Sequence, residues 1–317
     1  MRRGAGLILG GALTALAACD VALTPPPAPV AAPAPGPVAP EPARVATGPA
    51  LASPELAQRY RRLEAALLAR GLLRTDGGGP DTPFTARQLA DNFVRIALFS
   101  EYRDDGEGLV SEETESRLRR WEQPVRLEVR FGASVPPERQ VMDRNQVLGF
   151  ARRLAALTGL DIRPVASGGN FTVLFLSEEE RRAFGPELRR LIPGITPAAE
   201  RAFLDLPPDQ LCIVIGQFGP DGVRYARAVA LVRAEHPDLM RLACIHEEIA
   251  QGLGLANDSP RARPSIFNDD EEFALLTTHD ELLLRMLYDP RLRPGMSAAE
   301  AAPIARRIAA ELLGQDA

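Results

Sequence analysis

The stretch from Cys244 to Ser259, CIHEEIAQGLGLANDS, places a thiol, an imidazole, three carboxyl groups and two carboxamides close together. Read from His246, it opens the pattern H-E-x-x-H, in which two imidazoles at i and i+4 share a helix face and hold zinc. Position i+4 is Ala250, which binds no metal. Read from Glu247, positions i and i+4 are Glu247 and Gln251, which share one face. The helix must then stop at Gly254 for Asn257 to swing back toward them. This register offers one carboxylate and two neutral amides. Zinc prefers imidazole and thiolate, so no zinc is expected, whereas oxygen donors suit a hard cation such as calcium better. Glu248 stands apart. Buried in a cleft, its pKa would rise and it could act as a general acid or base. Asp258, Asp269 and Asp270 could add charge, although Asn257-Asp258-Ser259 reads equally well as an Asx turn ending the helix. His246 points about 100° away from Glu247 and is expected to be a packed structural residue. His236 and His279 are expected at the surface.

The Glu247 register resembles the metzincin peptidases, which carry H-E-x-x-H-x-x-G-x-x-H, often with Leu-Gly-Leu in the middle and an Asp after the last ligand. Glu247 to Asp258 follows that spacing. Glu248 stands at the general-base position, Gly254 at the turn, and Glu247, Gln251 and Asn257 at the three ligand positions. The likeness continues into Ser265-Ile266-Phe267-Asn268, where Phe267 replaces the Met of the Met-turn. It extends to Leu276, Thr277, Asp280, Leu287 and Tyr288, which match the opening and close of the last helix in matrix-type members. The resemblance is strong over the last part of Val125–Tyr288 and topological before it. It implies a zincin-like domain without zinc-binding histidines. The whole length also resembles an uncharacterised family of bacterial envelope lipoproteins, classed as a domain of unknown function, with similar Glu-Glu-x-x-Gln-x-Leu-Gly-Leu and Ser-Ile-Phe-Asn stretches. That family brings no established activity.

The elements that must position these residues can be read from periodicity. Ser53-Pro54-Glu55 is a helix start, followed by Leu56, Tyr60, Leu63 and Leu67 at helical spacing and ended by Gly71. Thr85 and Gln88 form a capping box for a second helix with Leu89, Phe93, Ile96 and Phe99 on its apolar face. From Val125 the period becomes two: Val125, Leu127, Val129 and Phe131 alternate with Arg126, Glu128 and Arg130, predicting a strand with one wet face. Asp143 is read as the cap of a helix that Gly159 stops. Strands are expected at 161–165, 171–176, 211–215 and 228–232, a helix at 179–191, and Asp238 or a neighbour at the start of the helix carrying the motif. The fold class is therefore α+β, zincin-like: a mixed twisted sheet, a backing helix, the motif helix and C-terminal helices. A small helical region, 53–120, precedes the domain at 121–317.

The N-terminus implies a location. Arg2 and Arg3 precede an apolar run that ends in Leu16-Ala17-Ala18-Cys19. That is a signal peptide over 1–18, too short to favour a membrane span, and Cys19 sits as in a bacterial lipobox, to be diacylated, for example with palmitate. From 19 to 52 the chain is largely Pro, Ala, Val and Gly, a polyproline-type spacer. With Cys19 lipidated, Cys212 and Cys244 remain in an oxidising compartment, where a disulfide between them is expected; two buried free thiols are the alternative. The 37 basic residues are all Arg and the net charge is −5, so no nucleic-acid footprint is expected.

Together these features predict a lipid-anchored, periplasm-facing envelope protein. Its degenerate, non-catalytic cleft, formed by Glu247, Gln251, Asn257 and Asp258, would bind a peptide, peptidoglycan component or envelope protein. The competing expectation is an active metal-dependent peptidase or hydrolase with atypical ligands and Glu248 as base.

Overall fold

The computed structural model describes residues 53–104, 109–268 and 270–314. The signal segment 1–18, Cys19, the spacer to 52 and Asp269 lie outside them. The chain runs α1 (Ser53–Ala69), α2 (Ala86–Leu98), β1 (Phe99–Asp104), β2 (Leu109–Glu115), β3 (Val125–Phe131), α3 (Pro137–Thr158), β4 (Ile162–Val165) and β5 (Phe171–Leu176). It continues through α4 (Glu178–Ala183), α5 (Gly185–Leu191), α6 (Pro197–Leu204), β6 (Cys212–Phe218), β7 (Tyr225–Arg233), α7 (Asp238–Gln251), α8 (Thr278–Leu287) and α9 (Ala298–Leu312). The described architecture is mixed α+β.

The main sheet has the order β4-β3-β5-β7-β6, with the first four strands parallel and β6 antiparallel to β7 at the edge. Alternation explains its two covered faces. Phe171, Val173, Phe175, Ala228, Ala230 and Val232 point into a large core shared with α2, α3, α7, α8 and α9. Leu174, Leu176, Val229 and Leu231 point the other way, onto Leu188, Leu191 and Phe203 of α5 and α6. Central β5 is buried along its whole length. The 53–120 region, expected to be helical, also carries an antiparallel hairpin of β1 and β2, and α2 shares the large core.

Several expectations are corrected by burial. Asp143 caps nothing: it lies inside α3, fully buried, and accepts a hydrogen bond from Arg241 at 2.9 Å. Glu128, expected on a wet face, is buried but held by Gly169 N at 2.8 Å and Arg130 Nε at 2.5 Å. The helix expected at 179–191 is two helices, broken at Phe184 ahead of Gly185-Pro186. His236 and His279, expected at the surface, are 3% and 0% exposed.

Candidate functional site

Helix α7 starts at Asp238, follows Pro237 as its N-cap and buries Ile245 and Ile249 in the core. Its opposite side carries Cys244, Glu247, Glu248 and Gln251, near one another because residues three, four and seven apart overlie on a helix. Cys244 is joined to Cys212 at the start of β6, so the expected disulfide fastens this side of α7 to the edge strand.

The turn after α7 is fixed by backbone fit. Gly254 has φ of +125°, and a Cβ there would meet Arg119 O at 2.3 Å. Only glycine meets both conditions. Trp121 Nε1 donates to Gly252 O at 2.8 Å and Tyr288 Oη donates to Leu253 O at 2.9 Å, closing the helix end against neighbouring segments. Ser265–Phe267 form a buried clasp with Thr277 and Asp280. Asp280 accepts from Ser265 Oγ at 2.5 Å, Ile266 N at 3.0 Å and Thr277 N at 3.0 Å, while Phe267 packs below with no exposure. Thr277 and Asp280 form the capping box of α8, which gives that pair a structural role.

Between α7, β6 and β1 lies a cavity of about 650 Å³, lined by Glu247, Glu248, Gln251, Asp258, Glu101, Glu271, Asp209 and Arg119 among others. Glu247 and Glu248 both face it. Glu248 is 3% exposed and its Oε2 has no hydrogen-bond partner. Burial first, and then the neighbouring carboxyls, raise both glutamates well above the ordinary carboxylate range. Glu247 feels Glu248 and Asp258, and Glu248 feels Asp258 and Glu101. Gln251 Nε2 donates to Asp258 Oδ1 at 3.3 Å, so these two predicted residues meet.

Asn257 does not join them. Its Nδ2 donates to Arg95 O at 3.0 Å and its N–H to Ile96 O at 3.1 Å, tying the loop to the end of α2. Asp258, one residue on, faces the cavity in its place. Glu101, Glu271, Asp209 and Arg119 were not foreseen, because each comes from a segment with no motif of its own.

The imidazoles are all spent elsewhere. His246 stacks on Phe150 with ring centroids 4.0 Å apart, and its Nδ1 accepts from Leu276 N at 3.1 Å. Burial pulls its pKa down to about 3, so it is neutral. His236 meets the edge of Tyr60 at 4.6 Å, and His279 Nε2 lies 3.0 Å from Asn92 Nδ2. Cys212, beside Glu247 and Glu248, has its sulfur in the disulfide and supplies no thiolate. A metzincin zinc centre therefore does not fit this donor set, which is carboxylate and carboxamide oxygen alone. Chemically, the arrangement can offer hard oxygen ligands, accept a cationic group, or hold a protonated carboxyl at neutral pH.

No helix of the described residues is long and apolar enough to cross a membrane. No curated protein matches the chain. Residues 86–307 match the family described as Protein of unknown function (DUF2927), a span covering the sheet, the cavity and most of the C-terminal helices. The chain belongs to that family of unknown function.

Proposed function

We propose that this protein is a lipid-anchored component of the bacterial cell envelope, and that its zincin-like domain uses the cleft beside α7 to bind rather than to cut. The anchor rests on Leu16-Ala17-Ala18-Cys19 and the Pro-rich spacer behind it. The zincin-like reading is supported by the order of strand, helix, strands, motif helix, turn and further helix, with Phe267 O accepting from Ser259 N of the motif loop. Binding without zinc chemistry is carried by one observation: six carboxyl side chains line the cleft beside Arg119 and apolar side chains of β6, while His236, His246 and His279 are packed away from it. The partner is a peptide or wall fragment presenting cationic groups, which an acidic cleft attracts.

The test has two parts. Elemental analysis of protein purified without chelators finds no stoichiometric zinc; about one equivalent, lost on Glu247→Ala, would overturn the reading. Titration with soluble muramyl-peptide fragments gives saturable binding that Gln251→Ala weakens while the variant stays folded. Failure of these fragments to bind would count against the wall as ligand source.

A second reading, a hydrolase using Glu248 as general acid or base, has one observation in its favour. Buried beside Glu247, its carboxyl holds a proton at a pH where an exposed glutamate is ionised. Murein or peptide turnover abolished by Glu248→Gln would establish it.

A further inference from the structure

Buried Glu128, Asp143 and Glu178 are matched with arginine and buried Asp280 with hydroxyl and backbone N–H donors, whereas buried Glu248 on α7 faces other carboxyls. Glu248 is 97% removed from solvent (3% exposed), faces the cavity, and its Oε2 has no hydrogen-bond partner. Such an atom is costly to bury unless something absent from the polypeptide completes it. One carboxyl oxygen from Glu247, one from Glu248 and Cys212 Sγ all lie within 4.8 Å of one another. Two oxygens that share a calcium ion at roughly 2.3–2.6 Å each are separated by at most about 5 Å, so a single ion can bridge this pair without rebuilding the helix. Asp258, Glu101 and Glu271 line the same space.

The geometry points to a hard divalent cation site, calcium above all, held by Glu247 and Glu248 of α7, with Asp258 of the following loop lining the same cavity. This deepens the cleft reading by naming the ligand at its floor, and it rests on that reading. Calcium fits better than magnesium, because two carboxyls on adjacent residues of one helix begin an irregular shell. Calcium accepts six to eight oxygens in such shells, whereas magnesium demands near-ideal octahedral geometry. The cavity leaves room for waters to fill the remaining positions. The ion would offset the mutual repulsion of the carboxylates.

Calcium chloride titrated calorimetrically into the full-length protein in detergent, after exhaustive chelation, is the test. Expected are about one equivalent bound, a dissociation constant on the order of 10⁻⁴–10⁻³ M as for other extracellular modules, and a rise in melting temperature. Glu247→Gln and Glu248→Gln, each checked by circular dichroism, weaken binding on the order of 10–100-fold. No heat and no thermal shift with calcium or magnesium would overturn the site, as would binding that survives both substitutions. Muramyl-peptide binding repeated in chelator separates the two claims. If it persists without any cation effect, the cleft reading stands and the cation site falls; if it is absent with and without calcium while calcium still binds, the reverse holds.

Discussion

Two groups of buried acids in this molecule are handled in opposite ways. On the far side of the sheet, Glu178 is 4% exposed and accepts from Arg181 at 2.6 Å, Arg182 at 2.7 Å and Arg233 at 2.7 Å. Burial would raise its pKa, but the hydrogen bonds from Arg181 and Arg182 and the charges of Arg181 and Arg233 outweigh it and hold the carboxyl below the ordinary range. Arg181 and Arg233 in turn donate to the carbonyls of Phe203, Leu206 and Pro207, which locks α6 and the following loop to the sheet. On the near side, Glu248 is as deeply buried and has an orphan oxygen. A buried acid whose partners are all supplied by the chain is part of the scaffold. Glu248, surrounded by other acids, has no arginine among the described residues to compensate it. The same physical rule, that a buried charge must be compensated, marks the first as structure and the second as site.

The largest expected effect breaks the structural half of the comparison. Glu178→Ala leaves Arg181 and Arg233 as uncompensated buried charges, and should cost about 3–5 kcal/mol in equilibrium denaturation. A loss under about 1 kcal/mol would mean that the pairing is not structural.

Smaller, and specific to the site, is the dependence on pH in chelator. Glu247 and Glu248 have raised pKa values in the native state, so the native state holds protons that the unfolded chain has already released. Stability therefore falls as pH rises from the unfolded carboxyl value, ~4.3, through the native ones. The buried, neutral His236 and His246 work in the other direction: their native pKa values are depressed, so the unfolded chain binds protons that they do not. Their contribution is lost as pH falls below ~6.5. Above that value the carboxyls act alone. Above about pH 6.5 wild type should lose stability as pH rises, by up to ~1.4 kcal/mol per unit for each group still titrating, and the double variant Glu247→Gln/Glu248→Gln should give a flatter profile. A slope unchanged by the double substitution would refute the assignment.

What the sequence made legible was local. The capping box at Thr85 and Gln88 and the apolar spacing of α1 and α2 depend on residues a turn apart, and the structure has them, while α7 ends at Gln251, ahead of the expected stop at Gly254. The pairing of Cys212 with Cys244 was legible because few cysteines remained to choose from. The Glu247 register was legible too, since helical spacing alone puts Glu247 and Gln251 on one side. Asn257 was not. Spacing carries a residue back toward the helix end, but its neighbours decide which of two adjacent side chains faces the cavity, and the free carbonyls of Arg95 and Ile96 captured Asn257. His236 and His279 were misplaced for a related reason. Each finds its partner, Tyr60 or Asn92, far away in sequence, and burial of an imidazole depends on that partner. Glu101, Asp209 and Glu271 reach the cavity from unrelated segments, so no local pattern could have gathered them.

The central claim is that the Glu247–Glu248 pair has been kept for a ligand and contributes nothing to the apo fold. Urea denaturation of wild type and Glu248→Gln at pH 7 in chelator tests it most directly. Replacing a buried carboxyl that faces other carboxyls by its neutral isostere should leave stability unchanged or raise it. A loss of about 2 kcal/mol or more, the size expected when a satisfied buried hydrogen-bonding group is removed, would show that Glu248 is bonded into the scaffold and contradict the account.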